Sequence, residues 1–298
     1  MEIKSWIHAA RLRTLPLSLS GIIVGSFAAY EQGFWDSAIF ILAMLTTLFL
    51  QVLSNFANDL GDSYKGADNE GRVGPMRAIQ SGKITQKQMT IGTVVMSALS
   101  LATAIPLIII GTDRMPSSVL WVYVILALLS ILAAVTYTVG KKAYGYNGMG
   151  DIMVFIFFGL VSVLGVYSLY AKSFDWSLLG MAFGIGLLSI AVLNLNNMRD
   201  HENDKLVNKR TIVVAIGFEK AKIYHTILII GSIIGMLYFI FVNQLWISLI
   251  ALLPFIILIK HLYKVWSTDI PQTLDPELKK VALSTFMISI LFLISTIV

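Results

Sequence analysis

Cysteine and charge are what this sequence lacks most clearly, and both absences exclude whole classes of protein. Without cysteine there is no disulfide, no thiol nucleophile, no zinc–thiolate site and no iron–sulfur cluster. Charged residues make up 13% of the 298 residues and hydrophobic ones 57%, whereas a soluble domain has about 25% charged and roughly 45–50% apolar residues. The charges are too few to cover a soluble surface, so a water-soluble enzyme is excluded. The four histidines are scattered and leave little room for a haem or a His-rich metal site.

Long apolar segments take up most of the chain. A helix that crosses a bilayer needs about 20 mostly apolar residues, and nine segments meet this requirement. They are residues 15–30, 37–55, 90–110, 118–139, 152–171, 176–195, 223–242, 245–263 and 281–298. The first follows Arg11 and Arg13 and could be read as a signal peptide, but we interpret it as a retained helix because the later loops make sense only with it. The sequence therefore predicts an all-α polytopic membrane protein with nine transmembrane helices.

The distribution of lysine and arginine predicts the orientation of these helices. With nine spans and the N-terminus inside, 20 of the 22 Lys and Arg residues fall on the inner side, and Arg114 and Lys172 fall outside. Cytoplasmic loops of membrane proteins carry such an excess of positive charge. We therefore expect a cytoplasmic N-terminus and an outer C-terminus. Basic loops also explain the net charge of +5 and the pI near 9.3 better than nucleic-acid binding does.

Two acidic clusters with nearly the same spacing lie at the inner ends of the second and sixth predicted spans. In each cluster an asparagine is followed by an aspartate four residues later and by another aspartate after three or four more. The residues are Asn55, Asp59 and Asp62 in the first cluster and Asn196, Asp200 and Asp204 in the second. Residues spaced i, i+4 and i+7 or i+8 project from one face of a helix. Each cluster is therefore expected to form one polar stripe, on the same side of the membrane.

The chemistry of these two stripes indicates a metal site. Carboxylates at membrane depth are costly unless a cation neutralises them. Ligand sets made only of oxygen suit Mg²⁺ or Ca²⁺ rather than zinc or copper, and Mg²⁺ takes one or two carboxylates and shares its other positions with water and substrate phosphates. We therefore predict that all six cluster residues ligate Mg²⁺ ions that hold one diphosphate. The alternative, that both clusters are solvated helix caps, does not explain why the stripe is repeated.

Basic residues follow each cluster and extend the repeat. Arg72 and Arg77 come after the first cluster, and Lys209 and Arg210 come after the second. Arginine binds phosphate oxygens in pairs, and lysine binds them as a point charge. Carboxylates and then cations recur about 141 residues apart, which predicts an internal duplication within a single domain over residues 1–298. Helices 1–4 and 5–8 would form the two repeats, and helix 9 would follow them.

The two clusters resemble the motifs of the UbiA superfamily of intramembrane prenyltransferases, and the resemblance covers nearly the whole chain. Residues 55–62 are similar to its N-x-x-x-D-x-x-D motif, and residues 196–204 to its N-x-x-x-D-x-x-x-D motif. Residues 137–141 resemble a Tyr-x-x-x-Lys element of the superfamily. The segments that resemble the 1,4-dihydroxy-2-naphthoate branch in particular are residues 10–16, 62–68, 72–77, 144–146, 148–151 and 155–159. Leu12 departs from that branch, which commonly has proline there.

This resemblance implies a nine-helix bundle around a central cavity that is open to the cytoplasmic side, in the bacterial inner membrane. It also implies a lateral opening for a long lipid tail. The implied activity is the transfer of a polyprenyl group from polyprenyl diphosphate to 1,4-dihydroxy-2-naphthoate, with loss of CO₂ and diphosphate. The product would be demethylmenaquinone, on the way to menaquinone. The expected cofactor is Mg²⁺, and the expected partners are the two substrates and membrane lipid, not nucleic acid.

Ionisation of the prenyl diphosphate followed by alkylation of the aromatic acceptor fits the cluster residues. The four aspartates, through Mg²⁺, would neutralise the leaving diphosphate, and the Tyr137 ring would stabilise the allylic cation. Asp151 either orients a hydroxyl of the acceptor or caps the fifth helix, and the sequence leaves both open. The residues expected to bind the diphosphate are Arg11, Arg72, Arg77, Lys141, Lys209 and Arg210.

Two other functions remain open from the sequence. An enzyme of the same superfamily with another aromatic acceptor, such as 4-hydroxybenzoate, would carry the same two clusters. A cation-coupled transporter would also have repeats and intramembrane carboxylates, but its binding site would lie near the midplane of the bilayer rather than at helix ends. Neither the length of the prenyl tail nor the oligomeric state follows from the sequence.

Overall fold

The chain folds into helices and connecting loops, which confirms the prediction of an all-α protein. The computed structural model describes residues 3–69 and 73–295 and contains no strand within them. The α-helices are α1 (Ile3–Ala9), α2 (Leu15–Glu31), α3 (Ser37–Tyr64), α4 (Gln86–Gly111), α5 (Ser117–Thr136), α6 (Gly150–Val154), α7 (Val166–Ala171), α8 (Leu179–Leu206), α9 (Ile212–Ile216), α10 (Phe218–Val242), α11 (Phe255–Trp266) and α12 (Asp275–Ile294). A π-helical segment, Phe155–Gly165, joins α6 to α7. Short 3-10 turns lie at Leu12–Thr14, Tyr144–Tyr146, Trp176–Leu178, Trp246–Leu252 and Pro271–Leu274.

Eight helical segments within the described ranges are long and apolar enough to cross a membrane. They correspond in order to the first eight predicted spans. The ninth predicted span, residues 281–298, lies mostly in α12, and its last three residues fall outside the described ranges. Four charged residues in the first two turns of α12 shorten the apolar part of that helix. The chain is therefore a multi-pass membrane protein, whereas the count of nine spans stays a prediction.

The second and sixth spans extend further at their C-terminal ends than predicted. Helix α3 continues to Tyr64, past the predicted end of the span at residue 55, and α8 continues to Leu206, past the predicted end of the span at residue 195. Each helix has 28 residues, or about 42 Å at roughly 1.5 Å per residue, which exceeds the ~30 Å hydrocarbon core of a bilayer. The two acidic clusters therefore lie within the last turns of regular helices, so their spacing does place each cluster along a helix.

Close helix packing holds α8 in the middle of the bundle. Helix α8 is the most buried of the eight spans and packs against α10, α12 and the π-helical segment. A Cβ atom on Gly180 would lie 2.4 Å from the carbonyl oxygen of Gly235 on α10, so only glycine lets these two backbones approach so closely. A Cβ atom on Gly25 of α2 would lie 2.6 Å from the carbonyl oxygen of Val163. Helix α2 therefore packs closely against the fifth span, and α8 packs closely against α10. The packing of α8 determines where the second acidic cluster lies.

Candidate active site

The two polar stripes lie on buried faces of α3 and α8, at the same end of the bundle. All four aspartates of the clusters are buried. The Asn203 amide on α8 donates a hydrogen bond of 3.1 Å to the carbonyl oxygen of Ala67, three residues beyond the end of α3. The C-terminal turns of the two helices are therefore joined directly, and their carboxylates lie in one region of the protein.

Two arginines from outside α3 bind the first cluster. Asp59 accepts hydrogen bonds from Arg11, which follows α1, and from Arg77 Nη1 at 2.7 Å. The other terminal nitrogen of Arg77 lies 3.6 Å from Asp62 Oδ2. Asp62 Oδ1 in turn accepts a hydrogen bond of 2.8 Å from the Tyr146 hydroxyl. The first cluster is thus already neutralised by cations that the N-terminal segment and the loop after α3 supply.

Asn55 has a positioning contact in addition to its predicted role as a metal ligand. Its amide nitrogen donates a hydrogen bond of 2.9 Å to the Ala10 carbonyl oxygen and lies 3.4 Å from Thr14 Oγ1. The intervening Arg11 adopts the left-handed backbone conformation, with φ 49°, which is uncommon for a residue other than glycine. Asn55 therefore holds the turn that directs the Arg11 guanidinium to Asp59.

The second cluster carries its own arginine. Arg199 donates from Nε to Asp200 Oδ1 at 2.9 Å and from Nη2 to Asp200 Oδ2 at 2.6 Å, a bidentate pair. The same Nη2 lies 2.9 Å from Asn196 Oδ1, and Nη1 donates to Asp275 at the start of α12. In the sequence, Arg199 is one of the 20 basic residues predicted on the inner side and was not predicted to be a site residue. Its place inside the second motif, next to Asp200, was the feature that pointed to a role in the site.

Lys209 and Asp204 form the third charged contact of the site. The two groups lie 3.4 Å apart, and Lys209 is buried. Burial alone would lower the pKa of the Lys209 ammonium, but the carboxylates of Asp204 and Asp62 outweigh burial and raise the pKa above its ordinary value. The other oxygen of Asp204, Oδ2, is buried and has no hydrogen-bond partner among the described residues. Such an atom is costly unless a cation or a donor meets it.

Residues of both clusters line a common cavity, which we call the polar cavity. Its volume is about 180 Å³. The lining residues that matter for the site are Asp62, Asn196, Arg11, Arg77, Lys209 and Tyr137. A neighbouring cavity of about 320 Å³, the loop cavity, is lined by Asp59 together with Asn196, Arg11 and Arg77. The two clusters, remote in sequence, therefore face the same space.

A third cavity, the apolar cavity, is continuous with the polar cavity. It has a volume of about 320 Å³ and runs between α3, α5 and the fifth span. The residues that line both cavities are Gln51, Asn58, Tyr137, Val154, Phe158 and Leu193. A ligand with a charged head and a long apolar tail would place its head among the arginines, its tail in the apolar cavity and the bond between them beside Tyr137.

Neighbouring residues fit closely around the Tyr137 ring at this junction. The Tyr144 ring meets it edge-on, with 5.2 Å between ring centroids and 75° between planes. Cβ atoms on Gly145 and Gly150 would lie 2.8 Å and 3.3 Å from ring atoms of Tyr137, so both glycines leave room for the ring. Burial and the nearby carboxylates raise the pKa of Tyr137 to about 12, although Lys209 opposes them. Tyr137 is therefore an uncharged phenol at neutral pH.

Other predicted site residues lie apart from this junction. Lys141 and Arg210 are exposed, and neither lines the polar, loop or apolar cavity. Arg72 lies outside the described residues. Asp151 is buried, lines none of the three cavities and accepts a hydrogen bond of 2.8 Å from the Tyr224 hydroxyl on α10. That contact with α10 was part of neither alternative that the sequence left open for Asp151.

The donor set of the site fits a hard divalent cation. Within residues 3–69 and 73–295 no three His, Cys, Asp or Glu side chains lie close enough to form a metal site by themselves. Mg²⁺ seldom needs such a group of three side chains, because it usually binds one or two carboxylates and fills its other coordination positions with water and substrate phosphates. Each cluster supplies two buried aspartates, and Asp204 Oδ2 is a buried acceptor without a partner in the described chain. The residues present are therefore compatible with Mg²⁺.

Comparison with known proteins places this site in a family. A model of the UbiA prenyltransferase family matches residues 18–288. The chain is 41% identical over 295 residues to the 1,4-dihydroxy-2-naphthoate octaprenyltransferase of Haemophilus influenzae, covering 98% of this chain and 95% of that protein. It is 37% identical over 293 residues to the enzyme of the same name from Escherichia coli, covering 98% and 94%.

A solved structure shares the fold. The structure of a UbiA homolog from Archaeoglobus fulgidus bound to DMAPP and Mg²⁺ matches with a TM-score of 0.63 at 18% identity, covering 96% of this chain and 97% of that one. The similarity at this low identity concerns the arrangement of helices, and the family model together with the two bacterial relatives covers nearly all of the sequence. The chain therefore belongs to the UbiA prenyltransferase family.

Proposed function

We propose that this protein transfers a polyprenyl group from polyprenyl diphosphate to 1,4-dihydroxy-2-naphthoate, with loss of CO₂ and diphosphate. The product is the demethylmenaquinone skeleton in its quinol form. The observation that carries the proposal is the junction at Tyr137, where a cavity lined with cations and carboxylates meets an apolar cavity. The choice of acceptor is supported by the names of the two bacterial relatives, which are naphthoate prenyltransferases.

The diphosphate would bind in the polar cavity. Arg11, Arg77 and Lys209 line it and present groups that bind phosphate oxygens. The residues that would hold Mg²⁺ are Asn55, Asp59, Asp62, Asn196, Asp200 and Asp204. When bound, Mg²⁺ supplies Lewis-acid neutralisation of the leaving diphosphate. Use of a divalent metal is supported by the A. fulgidus homolog, whose structure contains Mg²⁺.

The reacting carbon would lie beside the Tyr137 ring. As the allylic C–O bond breaks, its electron pair leaves with the diphosphate and positive charge develops on that carbon. An aromatic face stabilises such a cation, and the uncharged phenol of Tyr137 cannot trap it as a phenolate would. The apolar walls below Tyr137 keep water away from the cation. An electron pair of the acceptor ring then forms the carbon–carbon bond to this carbon. The carboxylate of the acceptor leaves as CO₂, and the electron pair of its bond to the ring returns to the ring, which becomes aromatic again.

We place the N-terminus and the active site on the cytoplasmic side of the bacterial inner membrane. The support is the distribution of Lys and Arg, 20 inside against 2 outside. One of the two exceptions, Lys172, has a structural role: its ammonium donates to the carbonyl oxygens of Ile110, Gly111 and Leu169, where α4 and α7 end. A single domain with an internal repeat remains our interpretation, in which α3 and α8, both of 28 residues, are equivalent.

The test uses purified protein in detergent with a polyprenyl diphosphate and either 1,4-dihydroxy-2-naphthoate or 4-hydroxybenzoate. We expect prenylation of the naphthoate with Mg²⁺ present and none after addition of a chelator. Turnover with 4-hydroxybenzoate alone would move the protein to another branch of the family. Turnover that a chelator leaves unchanged would contradict the metal assignment. A cation-coupled transporter, the remaining alternative from the sequence, has no support from the comparisons with known proteins.

A further inference from the structure

The apolar cavity runs along α5 from Tyr137 to Tyr123. The α5 residues that line the cavity are Tyr123, Leu126, Ala127, Ser130, Ala133 and Ala134, followed by Tyr137 just after the helix. Their spacing of three and four residues is that of a single helix face. Tyr123 precedes Tyr137 by 14 residues, which corresponds to about 21 Å along the helix axis. The cavity is thus a passage about 21 Å long with the reaction point at one end.

Tyr123 closes the far end of this passage. Its side chain is buried, and its hydroxyl donates a hydrogen bond of 2.8 Å to the carbonyl oxygen of Gly165 and contacts Ser168 Oγ. Gly165 and Ser168 belong to the fifth span, on the wall opposite α5. The Tyr123 side chain therefore crosses the passage from one wall to the other. The other residues at this end, Ala43, Leu107, Ile108 and Leu169, have smaller side chains.

The π-helical segment keeps the opposite wall continuous up to Tyr123. The lining residues of the fifth span come in pairs four residues apart: Met153 and Val154, Phe157 and Phe158, Val161 and Ser162, Gly165 and Val166. In an α-helix each step of four residues turns about 40° past a full rotation, so such pairs would wind away from the cavity. The wider turns of a π-helix, closed by i→i+5 hydrogen bonds, offset that rotation. The same face therefore lines the passage along its whole length.

The length of the passage can be compared with that of a prenyl tail. An extended chain spans roughly 3.5 Å per three backbone bonds, so a prenyl unit with four such bonds spans about 4.5 Å. A passage of about 21 Å therefore holds four to five extended units. The two bacterial relatives are named octaprenyltransferases. An extended tail of eight units would be nearly twice as long as the passage. Such a tail must bend at the closed end.

We infer that Tyr123 is a specificity-determining residue that sets how much of the prenyl tail the protein encloses. This inference rests on the proposed function, because it assumes that the apolar cavity holds the tail of a prenyl diphosphate. Tails of up to four units end before they reach the Tyr123 ring, and longer tails meet the ring and turn towards the lipid. Removal of the ring opens the end of the passage and favours long tails over short ones.

The test compares kcat/KM for all-trans prenyl diphosphates of four and eight units, with the same aromatic acceptor and Mg²⁺. We expect Tyr123→Ala to raise the ratio of the eight-unit to the four-unit value about tenfold, the range in which a hydrophobic pocket discriminates small changes in apolar length. Tyr123→Phe keeps the ring and should leave the ratio within about twofold of the wild type. Tyr238→Ala is the matched control, because Tyr238 lies on α10 with 53% of its surface exposed.

Ala127→Leu provides a second test that does not open a cavity in the protein. Ala127 lies one helical turn from Tyr123 on the same lining face, and a larger side chain there shortens the passage. We expect the eight-unit to four-unit ratio to stay near the wild-type value while kcat/KM for the four-unit tail falls below that for the three-unit tail. Tyr123→Ala should thus favour the longer of the two tails compared, eight units over four, and Ala127→Leu the shorter, three units over four.

Three outcomes would overturn the inference. One is a Tyr123→Ala variant that turns over both tails with the wild-type ratio, since the tail then does not meet the ring. Another is a Tyr123→Phe variant that shifts the ratio as much as Tyr123→Ala does, since the hydrogen bond and not the ring would then be responsible. The third is an Ala127→Leu variant in which the ratio of kcat/KM for the four-unit tail to that for the three-unit tail stays at the wild-type value. Wild-type protein that prenylates no aromatic acceptor with either tail would instead contradict the proposed function.

Discussion

The two acidic clusters have nearly the same sequence but different surroundings. Asp59 on α3 is bound by Arg11 and Arg77, which come from the N-terminal segment and from the loop after α3. Asp200 on α8 is bound by Arg199, the residue before it on the same helix. The side chains of Arg11 and Arg77 keep 19% and 12% of their surface exposed, whereas that of Arg199 keeps 0%.

This difference indicates separate roles for the cations of the two clusters. Arg11 and Arg77 line the polar and loop cavities, so they can exchange a carboxylate for a phosphate when a diphosphate enters. Arg199 lines none of the three cavities and is bound by Asp275 of α12 as well as by Asp200. It therefore acts as a positioning residue that orients Asp200. The cations of the first cluster can therefore respond to the ligand, whereas the cation of the second cluster is held in place by the protein itself.

Removal of the central aspartate of either cluster should give the largest effect on turnover, and its effect on stability should differ between the two clusters. We expect Asp59→Ala and Asp200→Ala each to reduce kcat by about 1000-fold, as the loss of a main electrostatic contact does. Only Asp200→Ala should also destabilise the fold, by about 3 kcal/mol, because it leaves the buried Arg199 without its bidentate partner. Turnover and thermal unfolding in detergent measure both effects. Equal losses of unfolding temperature in the two variants would contradict the comparison.

Replacement of the arginines should give a smaller effect on the kinetics, and the affected constant should differ between the two clusters. Arg199→Gln should raise the Mg²⁺ concentration for half-maximal rate by about 10- to 100-fold, because a residue that orients a metal ligand is lost. Arg77→Gln should instead raise KM for the prenyl diphosphate by about tenfold. Arg199→Lys should not rescue the Mg²⁺ dependence, since lysine cannot form the bidentate pair. A Mg²⁺ titration and a diphosphate titration of each variant distinguish these outcomes, and identical shifts in both would argue against separate roles.

Tyr137 belongs to neither cluster, so its substitution tests the junction between the polar cavity and the apolar cavity. Tyr137→Leu should lower kcat about 30-fold, the value of a desolvated cation–π contact of ~2 kcal/mol, with little change in KM for the diphosphate. Tyr137→Phe keeps the aromatic face and should stay within about threefold of wild type. Because burial raises the pKa of Tyr137 to about 12, the rate profiles of wild type and Tyr137→Phe should have the same shape from about pH 6 to 9. A group that titrates only in the wild type over this interval would rule out an uncharged phenol.

The smallest effects are expected at the exposed cations Lys141 and Arg210. Both were predicted from the sequence to bind the diphosphate, and both lie outside the three cavities. Lys141→Ala and Arg210→Ala should each change kcat/KM by less than about twofold, because exposed charges contribute little. Steady-state rates at low ionic strength are the sensitive measurement. A tenfold loss in either variant would indicate that these loops approach the diphosphate when it binds.

Local patterns in the sequence were sufficient for the helices and for the face that each acidic cluster occupies. The apolar segments predicted eight helices that the structure contains. They could be predicted because each helix that crosses a bilayer must be long and apolar within one continuous segment of the sequence. The predicted apolar spans end about ten residues before α3 and α8 do, because polar residues such as Asp59 and Asp200 lower the hydropathy while the helix continues through them. Hydropathy marks where the membrane ends, not where the helix does.

What the sequence by itself determined is therefore the class of the protein, its helical segments and the two stripes of oxygen ligands, all of which depend on neighbours within one or two helical turns. Only the tertiary structure decided which cation meets which carboxylate, so that Arg11 reaches Asp59, Arg199 is buried between Asp200 and Asp275, and Lys141 is left in solvent. It also decided where Tyr123 closes the apolar cavity. The physical reason is that charge pairing and cavity shape depend on how separate helices pack, and that packing brings together residues far apart in the chain.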